Sequence, residues 1–363
     1  MDEKKEHGRH ARSGEFARYD QVDKVRDYRL AEADGEELFD DDFRVRTCDL
    51  GRSLRGDAAD RRRFAAELGA AMEEIGFAIL VGHGVDPALY SAAEQWVLDF
   101  FAGAALEDKL RFRAARHGSV SQGYFPLEET SGIHPDLVEG WVFCRRAFAL
   151  AGRSAPLHAG EFWPLPEFEP HFRRLVEAQL PLFRPIMQAI LQHLGCDPRA
   201  FDRKLEGTNF GLRLNAYPPI GADARPVTGR LLGHEDVDLF TLLPAPRIEG
   251  LQVLSRAGKW VRLQAPPGSI VLNTGDYLQR ISNDVFPSTT HRVSPPRDAA
   301  LRSQPRVSFP LAAYLWEDEI LEVLPGLGPA KYEPIRVLTF HTRTTAKFYG
   351  DDYAVEDGAE TPR

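Results

Sequence analysis

The 363-residue sequence is poor in cysteine: three in all, Cys48, Cys144 and Cys196, odd in number and far apart. That excludes a disulfide framework, suits a reducing compartment and leaves the three to be read as ordinary buried thiols. No apolar run approaches the ~18 residues that a membrane span needs. The first residues, MDEKKEHGRHARSGEF, also lack the apolar centre of a signal peptide. A membrane partner is therefore not expected, and the cytoplasm is the expected location. The formal net charge of −9 comes from mixed-sign segments without a long basic run, which argues against a nucleic-acid partner. Internal repeats, low-complexity tracts, an HExxH helix and cysteine-rich zinc motifs are all missing, and the last two absences disfavour a zinc hydrolase.

What is present is enough apolar residue, 43%, to bury a large core without a covalent staple. Residues 1–40 are polar and highly charged and read as a loosely attached arm. Residues 41–350 read as a single domain, with 351–363 as a tail. Its first part, 41–207, is mainly helical in pattern. FRVRTCDL alternates like a strand, and an amphipathic helix then feeds the apolar strand that ends at Gly82-His83-Gly84. Residues 87–113 look helical, Ser119–Phe143 look like an irregular loop able to shape a site, and Trp163–Gly195 carry long-helix spacing broken at Pro181 and Pro185. From about 208 to 320 the pattern changes to short strands divided by Gly, Pro, Asn or Asp, which predicts an antiparallel barrel or jelly roll. Residues 321–350 return as a loop and helix.

Chemistry concentrates in GHEDVDLF. On a strand, the period of two points His234 and Asp236 to one face and turns Glu235 away. A third ligand must come from a neighbouring strand, and His291 in STTHRVSPP is the best candidate. Two histidines and one carboxylate on one face of an octahedron leave the opposite positions open, which suits iron(II) oxygen chemistry better than a closed zinc site. His83 is expected to brace its turn, and His341 to be solvated. In RVS, the same period places Arg306 and Ser308 on one face, where a guanidinium fork and a hydroxyl can hold the carboxylate of a dicarboxylate cosubstrate.

The pieces GFAILVGHGV, DFF before a segment containing Lys109, LRLNAYPP, HED followed by TLL, GLQVL, PPGSIVLNTGD, ISNDVFPSTTHRV and RVSFP occur in an order and spacing that resemble one family. It is the isopenicillin N synthase-like family of 2-oxoglutarate-dependent dioxygenases, and the likeness runs from about residue 43 to 345. The resemblance implies a mainly β fold with flanking α-helices, a double-stranded β-helix (jelly-roll) core. It implies iron(II) on His234, Asp236 and His291, and the distal carboxylate of 2-oxoglutarate on Arg306 and Ser308. Asn215 and Tyr217 match positions that contact the cosubstrate near the metal, and Tyr124 matches one that lines the substrate pocket. The reaction implied consumes O₂ and 2-oxoglutarate, with ascorbate as a possible accessory, and oxidises a C–H bond of a small molecule, releasing succinate and CO₂ from a monomeric enzyme.

Three departures accompany the likeness. Glu235 stands where Thr is usual, Asp238 stands where a small residue is common, and the connector 292–305 is long. Asp238 reads first as a solvated strand residue and second as a group facing a cationic substrate. Arg302 competes with Arg306 as the carboxylate anchor, because it lies nearer the usual distance from His291. The acidic residues Glu128, Glu129, Asp136 and Glu139 read as solvated loop carboxylates. Rival functions are an oxidase of the same family that does not use 2-oxoglutarate, and a non-catalytic iron or ligand sensor on the same barrel.

Overall fold

A computed structural model describes residues 38–127, 137–151, 157–220, 230–349 and 354–355. Most of the predicted arm, Glu128, Glu129, Asp136 and most of the predicted tail lie outside them.

Two sheets face each other. The smaller is antiparallel, in the order Trp260–Arg262, Leu251–Leu254, His291–Val293, Leu231–His234. The larger has ten strands. Its central part runs Ile270–Thr274, Phe240–Pro244, Leu311–Tyr314, Asn209–Tyr217, with Arg306–Ser308 paired to the far end of Asn209–Tyr217. Phe77, Ile79 and Val271 from the large sheet meet Leu251, Val253, Val261 and Leu263 between the sheets. Burial of those branched and aromatic side chains on one face of each strand, with the outer faces covered elsewhere, is the jelly-roll arrangement.

The outer face of the large sheet carries Leu212, Phe240, Leu242, Leu272 and Leu311, packed in one cluster with the helices Ala58–Ile75, Phe168–Gln179 and Phe183–His193. Asp57 starts the first of these with a reciprocal capping box to Asp60. Pro181 converts the break between the other two into a 3-10 turn, whereas Pro185 falls in the first turn of the last helix and is accommodated there. No helix among the described residues is long and apolar enough to cross a membrane.

The structure departs from the predicted division at 207. Thr47–Asp49 and Phe77–Val81, read as strands, and Val120–Phe125 and Glu139–Cys144, which were not, are all strands of the large sheet, although they come from the part read as mainly helical. The segment read as an irregular loop thus holds two buried strands, because the Gly, Pro and acidic residues between them hide their short apolar patterns. Even the end of the predicted arm is attached: Asp40 N donates to Trp260 O, and the Arg262 guanidinium lies 3.6 Å from the Phe39 ring centroid.

Gly76 joins the helix Ala58–Ile75 to the strand Phe77–Val81 at φ 74°, and a Cβ there would lie 2.3 Å from the Pro287 carbonyl oxygen. Both the left-handed backbone and the close approach require glycine. Gly76→Ala is expected to cost on the order of 2 kcal/mol. Urea denaturation midpoints of the two proteins check this.

Candidate active site

The strand Leu231–His234 ends at His234, which lies directly across from His291 in the neighbouring strand. Asp236 therefore sits in the loop after the strand rather than within it. The alternation continues past the strand end: Glu235 turns to the other side, where the Thr290 hydroxyl donates to it, and Asp236 comes back toward the histidines. The loop is clamped from outside, since the backbone amides of Asp276 and Tyr277 donate to the Asp236 and Asp238 carbonyls.

The result is a cluster in which one ligand atom from each of His234, Asp236 and His291 lies within 4.8 Å of the others. Asp236 Oδ1 is 3.6 Å from His234 Nε2 and 3.9 Å from His291 Nε2. Cis ligands about 2.1 Å from a shared metal stand ~3 Å apart, so small side-chain adjustments suffice to close the set on an ion. His291 Nδ1 lies 3.1 Å from the Thr289 carbonyl. An N–H donated there leaves the Nε2 lone pair for the metal. The second Asp236 oxygen, Oδ2, accepts from Asn273 Nδ2 and Thr241 Oγ1, each at 2.8 Å. Burial opposes the Asp236 charge, but His291, His234 and these two donors outweigh it and hold the carboxyl below its usual range.

Asn273 and Thr241 were not found from the sequence. Each comes from a different strand of the large sheet, and only the pairing of those strands, Asn273 opposite Thr241, brings them together at Asp236. Asp238 differs from its first reading, being wholly buried rather than solvated. Its Oδ2 is 2.6 Å from Thr241 Oγ1, while burial and the Asp236 charge push its carboxyl well above the usual range. A neutral Asp238 can donate to Thr241, which then donates to Asp236.

Across the barrel, Arg306 pairs with Tyr217 and Ser308 with Asn215, all four facing inward. Arg306 is 1% exposed; its Nε donates to the Ile248 carbonyl at 3.0 Å, and its guanidinium lies 4.8 Å from the Tyr217 ring centroid. Its Nη1 is buried with no partner. A buried cation left this way costs several kcal/mol unless an anion meets it. Arg306 and Ser308, with Ile248, Leu251 and Val271, line a cavity of about 530 Å³. A buried orphaned donor on a residue that lines this cavity is what a bound carboxylate would satisfy, so the residues fit the cosubstrate. Arg302, the competing anchor, is exposed on a short helix of the long connector, Ala299–Arg302, where its Nε donates to the Pro296 carbonyl.

Tyr124 does not share that face. It pairs with Trp141, which pairs with Leu214, one row away from the inward row of Phe125, Gly140, Asn215 and Ser308. Its hydroxyl donates to Glu139 at 2.6 Å, beside a buried Lys109–Glu139 ion pair of 2.6 Å, so Glu139 is not a solvated loop carboxylate. The inward row next to Asn215 instead presents Arg213, whose Nε donates to Asn215 Oδ1 at 2.7 Å and whose guanidinium lies 5.5 Å from the Phe125 ring.

His83 and His341 divide. His83 braces its turn as expected, accepting from Val85 N and meeting the Gly268 carbonyl. His341 is not solvated: it is buried against Tyr277, whose hydroxyl lies 2.8 Å from its Nδ1.

Comparison with known proteins agrees with this geometry. Residues 209–311 match the 2OG-Fe(II) oxygenase superfamily, and residues 45–165 match the N-terminal region of non-haem dioxygenases described for morphine synthesis. A 2-oxoglutarate-Fe(II) type oxidoreductase, ppzC, of Metarhizium majus is 30% identical over 330 residues, covering 83% of this chain and 86% of its own. The chain belongs to the 2-oxoglutarate/Fe(II)-dependent dioxygenase family. Among solved structures, this dioxygenase is similar to Neurospora crassa T7H in complex with alpha-KG, with a TM-score of 0.73, 25% identity and coverage of 86% and 99%. It is also similar to a 2OG-Fe(II) oxygenase family protein of Caulobacter crescentus, with a TM-score of 0.68, 30% identity and coverage of 84% and 97%.

Two outcomes follow for the dioxygenase. Asp236→Ala and His291→Ala are expected to abolish iron retention, Asn273→Ala to weaken it roughly 10–100-fold, and Glu235→Ala, His83→Ala and His341→Ala to leave it intact. Iron content after desalting checks each. The second concerns pH: burial pulls the His341 pKa from 6.5 to about 4. The unfolded chain then binds a proton that the folded one refuses, so this residue's contribution to stability falls as pH drops from about 6.5 toward 4. His341→Gln should flatten the fall of the urea midpoint across that window.

Proposed function

We propose that His234, Asp236 and His291 are the iron ligands and that Arg306 and Ser308, with Tyr217 and Asn215 beside them, hold 2-oxoglutarate. The dioxygenase then hydroxylates a C–H bond of a small molecule, with succinate and CO₂ as coproducts. The observation that carries this reading is the orphaned Arg306 Nη1, buried in the same barrel as the His/Asp/His cluster.

Bound iron(II) supplies O₂ activation coupled to decarboxylation of the 2-oxo acid. The chain's own work is placement. Thr241 and Asn273 fix one Asp236 oxygen and leave the other for the metal. The Thr289 carbonyl orients His291. Arg306, immobilised by Ile248, fixes the cosubstrate's far end, and Phe77 and Val253 exclude water from the space between the sheets. Arg213 and Phe125 give the substrate side a cation and an aromatic face, and take in this reading the pocket-lining role suggested for Tyr124. We read the protein as a cytoplasmic monomer acting on a small molecule without nucleic-acid or membrane partners, in keeping with its acidic balance and lack of an apolar span.

Arg306→Lys keeps the charge and loses the fork, so it is expected to raise the KM for 2-oxoglutarate by about tenfold or more while iron retention is unchanged. Arg302→Lys should do neither. Succinate release titrated with 2-oxoglutarate tests both, and a defect confined to Arg302→Lys would reverse the assignment. Turnover of substrate with no dependence on 2-oxoglutarate would favour the oxidase alternative.

A further inference from the structure

Arg306 is not the only buried guanidinium in its neighbourhood. Arg230, just before the strand Leu231–His234, is 0% exposed. Its backbone N–H donates to the Val293 carbonyl at 2.9 Å, which holds it at the edge of the small sheet. Its Nη2 donates to the carbonyl of Gln304 at 3.2 Å, two residues before Arg306. Its Nε and Nη1 are buried with no partner. Val293 and Leu231, on either side of the backbone bond, pack against Tyr217, whose ring lies 4.8 Å from the Arg306 guanidinium.

Arg145 and Arg292, also buried, are used differently. Arg145 spends its nitrogens on the Thr208 and Ala151 carbonyls, and Arg292 bonds Gln252 while stacking 3.9 Å over Trp260. Arg230 and Arg306 together present three buried, unpartnered nitrogens, and neither forms an ion pair with a carboxylate among the described residues. Two like charges so placed repel, and removal from water penalises each further. Only an anion offering several acceptor oxygens offsets both costs. Burial and the nearby Arg306 lower the Arg230 pKa to about 10, which still leaves it protonated at neutral pH.

We infer that Arg230 is a second guanidinium of the cosubstrate pocket, acting with Arg306 on the distal carboxylate and making the site selective for 2-oxo acids that carry one. This rests on the 2-oxoglutarate reading above. Arg306 is the anchor on the large sheet, and Arg230 reaches the same group from the small sheet. The pair ties the two sheets together through the ligand.

The test is calorimetric binding to the Mn(II)-loaded full-length protein without O₂, comparing 2-oxoglutarate with 2-oxovalerate, which has the same carbon chain but no distal carboxylate. Arg230→Met should weaken 2-oxoglutarate roughly tenfold to a hundredfold and leave 2-oxovalerate within about twofold. Arg230→Lys should fall between, and it carries the test should Arg230→Met fail to fold. Equal losses for both acids would show a merely structural role, and unchanged 2-oxoglutarate binding would show none in the pocket; either overturns the inference. A wild-type protein that binds the two acids equally would instead overturn the cosubstrate reading itself, whatever Arg230 does.

Discussion

The pairing of His234 with His291 across the small sheet is the contact on which the active site depends. It sets two imidazoles with ring centroids 4.3 Å apart, and the loop leaving His234 returns Asp236 to the same side. The register slips between Leu231 and His234, so this pairing is held beside a local irregularity and not by a long regular ladder. The surrounding clasp compensates: Thr241 and Asn273 of the opposite sheet, with the amides of Asp276 and Tyr277 in the helix that follows the Asn273 strand, fix the loop. Precision at the metal therefore belongs to both sheets.

The same division governs charge. The two neighbouring carboxyls are pushed apart: the histidines and two donors hold Asp236 below the usual range, while burial and the Asp236 charge push Asp238 above it, with Thr241 between them. At the other end of the barrel, Arg230 and Arg306 have no carboxylate partner among the described residues. In the function proposed above, a dicarboxylate would complete the electrostatics that these residues leave open.

The sequence was informative where chemistry is local. His234, Asp236, Arg306 and Ser308 are legible because a period of two fixes which side chains share a face, and the strand-rich stretch after 208 announces the barrel. What depends on register between distant strands was not legible. Tyr124 and Phe125 are adjacent in sequence yet belong to opposite faces, and only the pairing with Trp141 and Gly140 tells them apart. His341 misled for another reason. Its segment HTRTT looks water-loving, but the hydroxyls of Thr342, Thr344 and Thr345 bond back to carbonyls four residues earlier, which lets a polar run lie buried.

The long connector after His291 is folded on itself. Asp298 caps its short helix, Arg302 closes onto Pro296, and the Ser303 hydroxyl bonds to Ala300. The same segment is also moored outward, since the Arg302 and Gln304 carbonyls accept from Ile220 and Arg230 and the Gln304 side chain accepts from Arg247. It works as a clasp sprung at its short helix, where added residues cost little chain entropy, and riveted at its far end, where an exchange would release Arg230 from its bond.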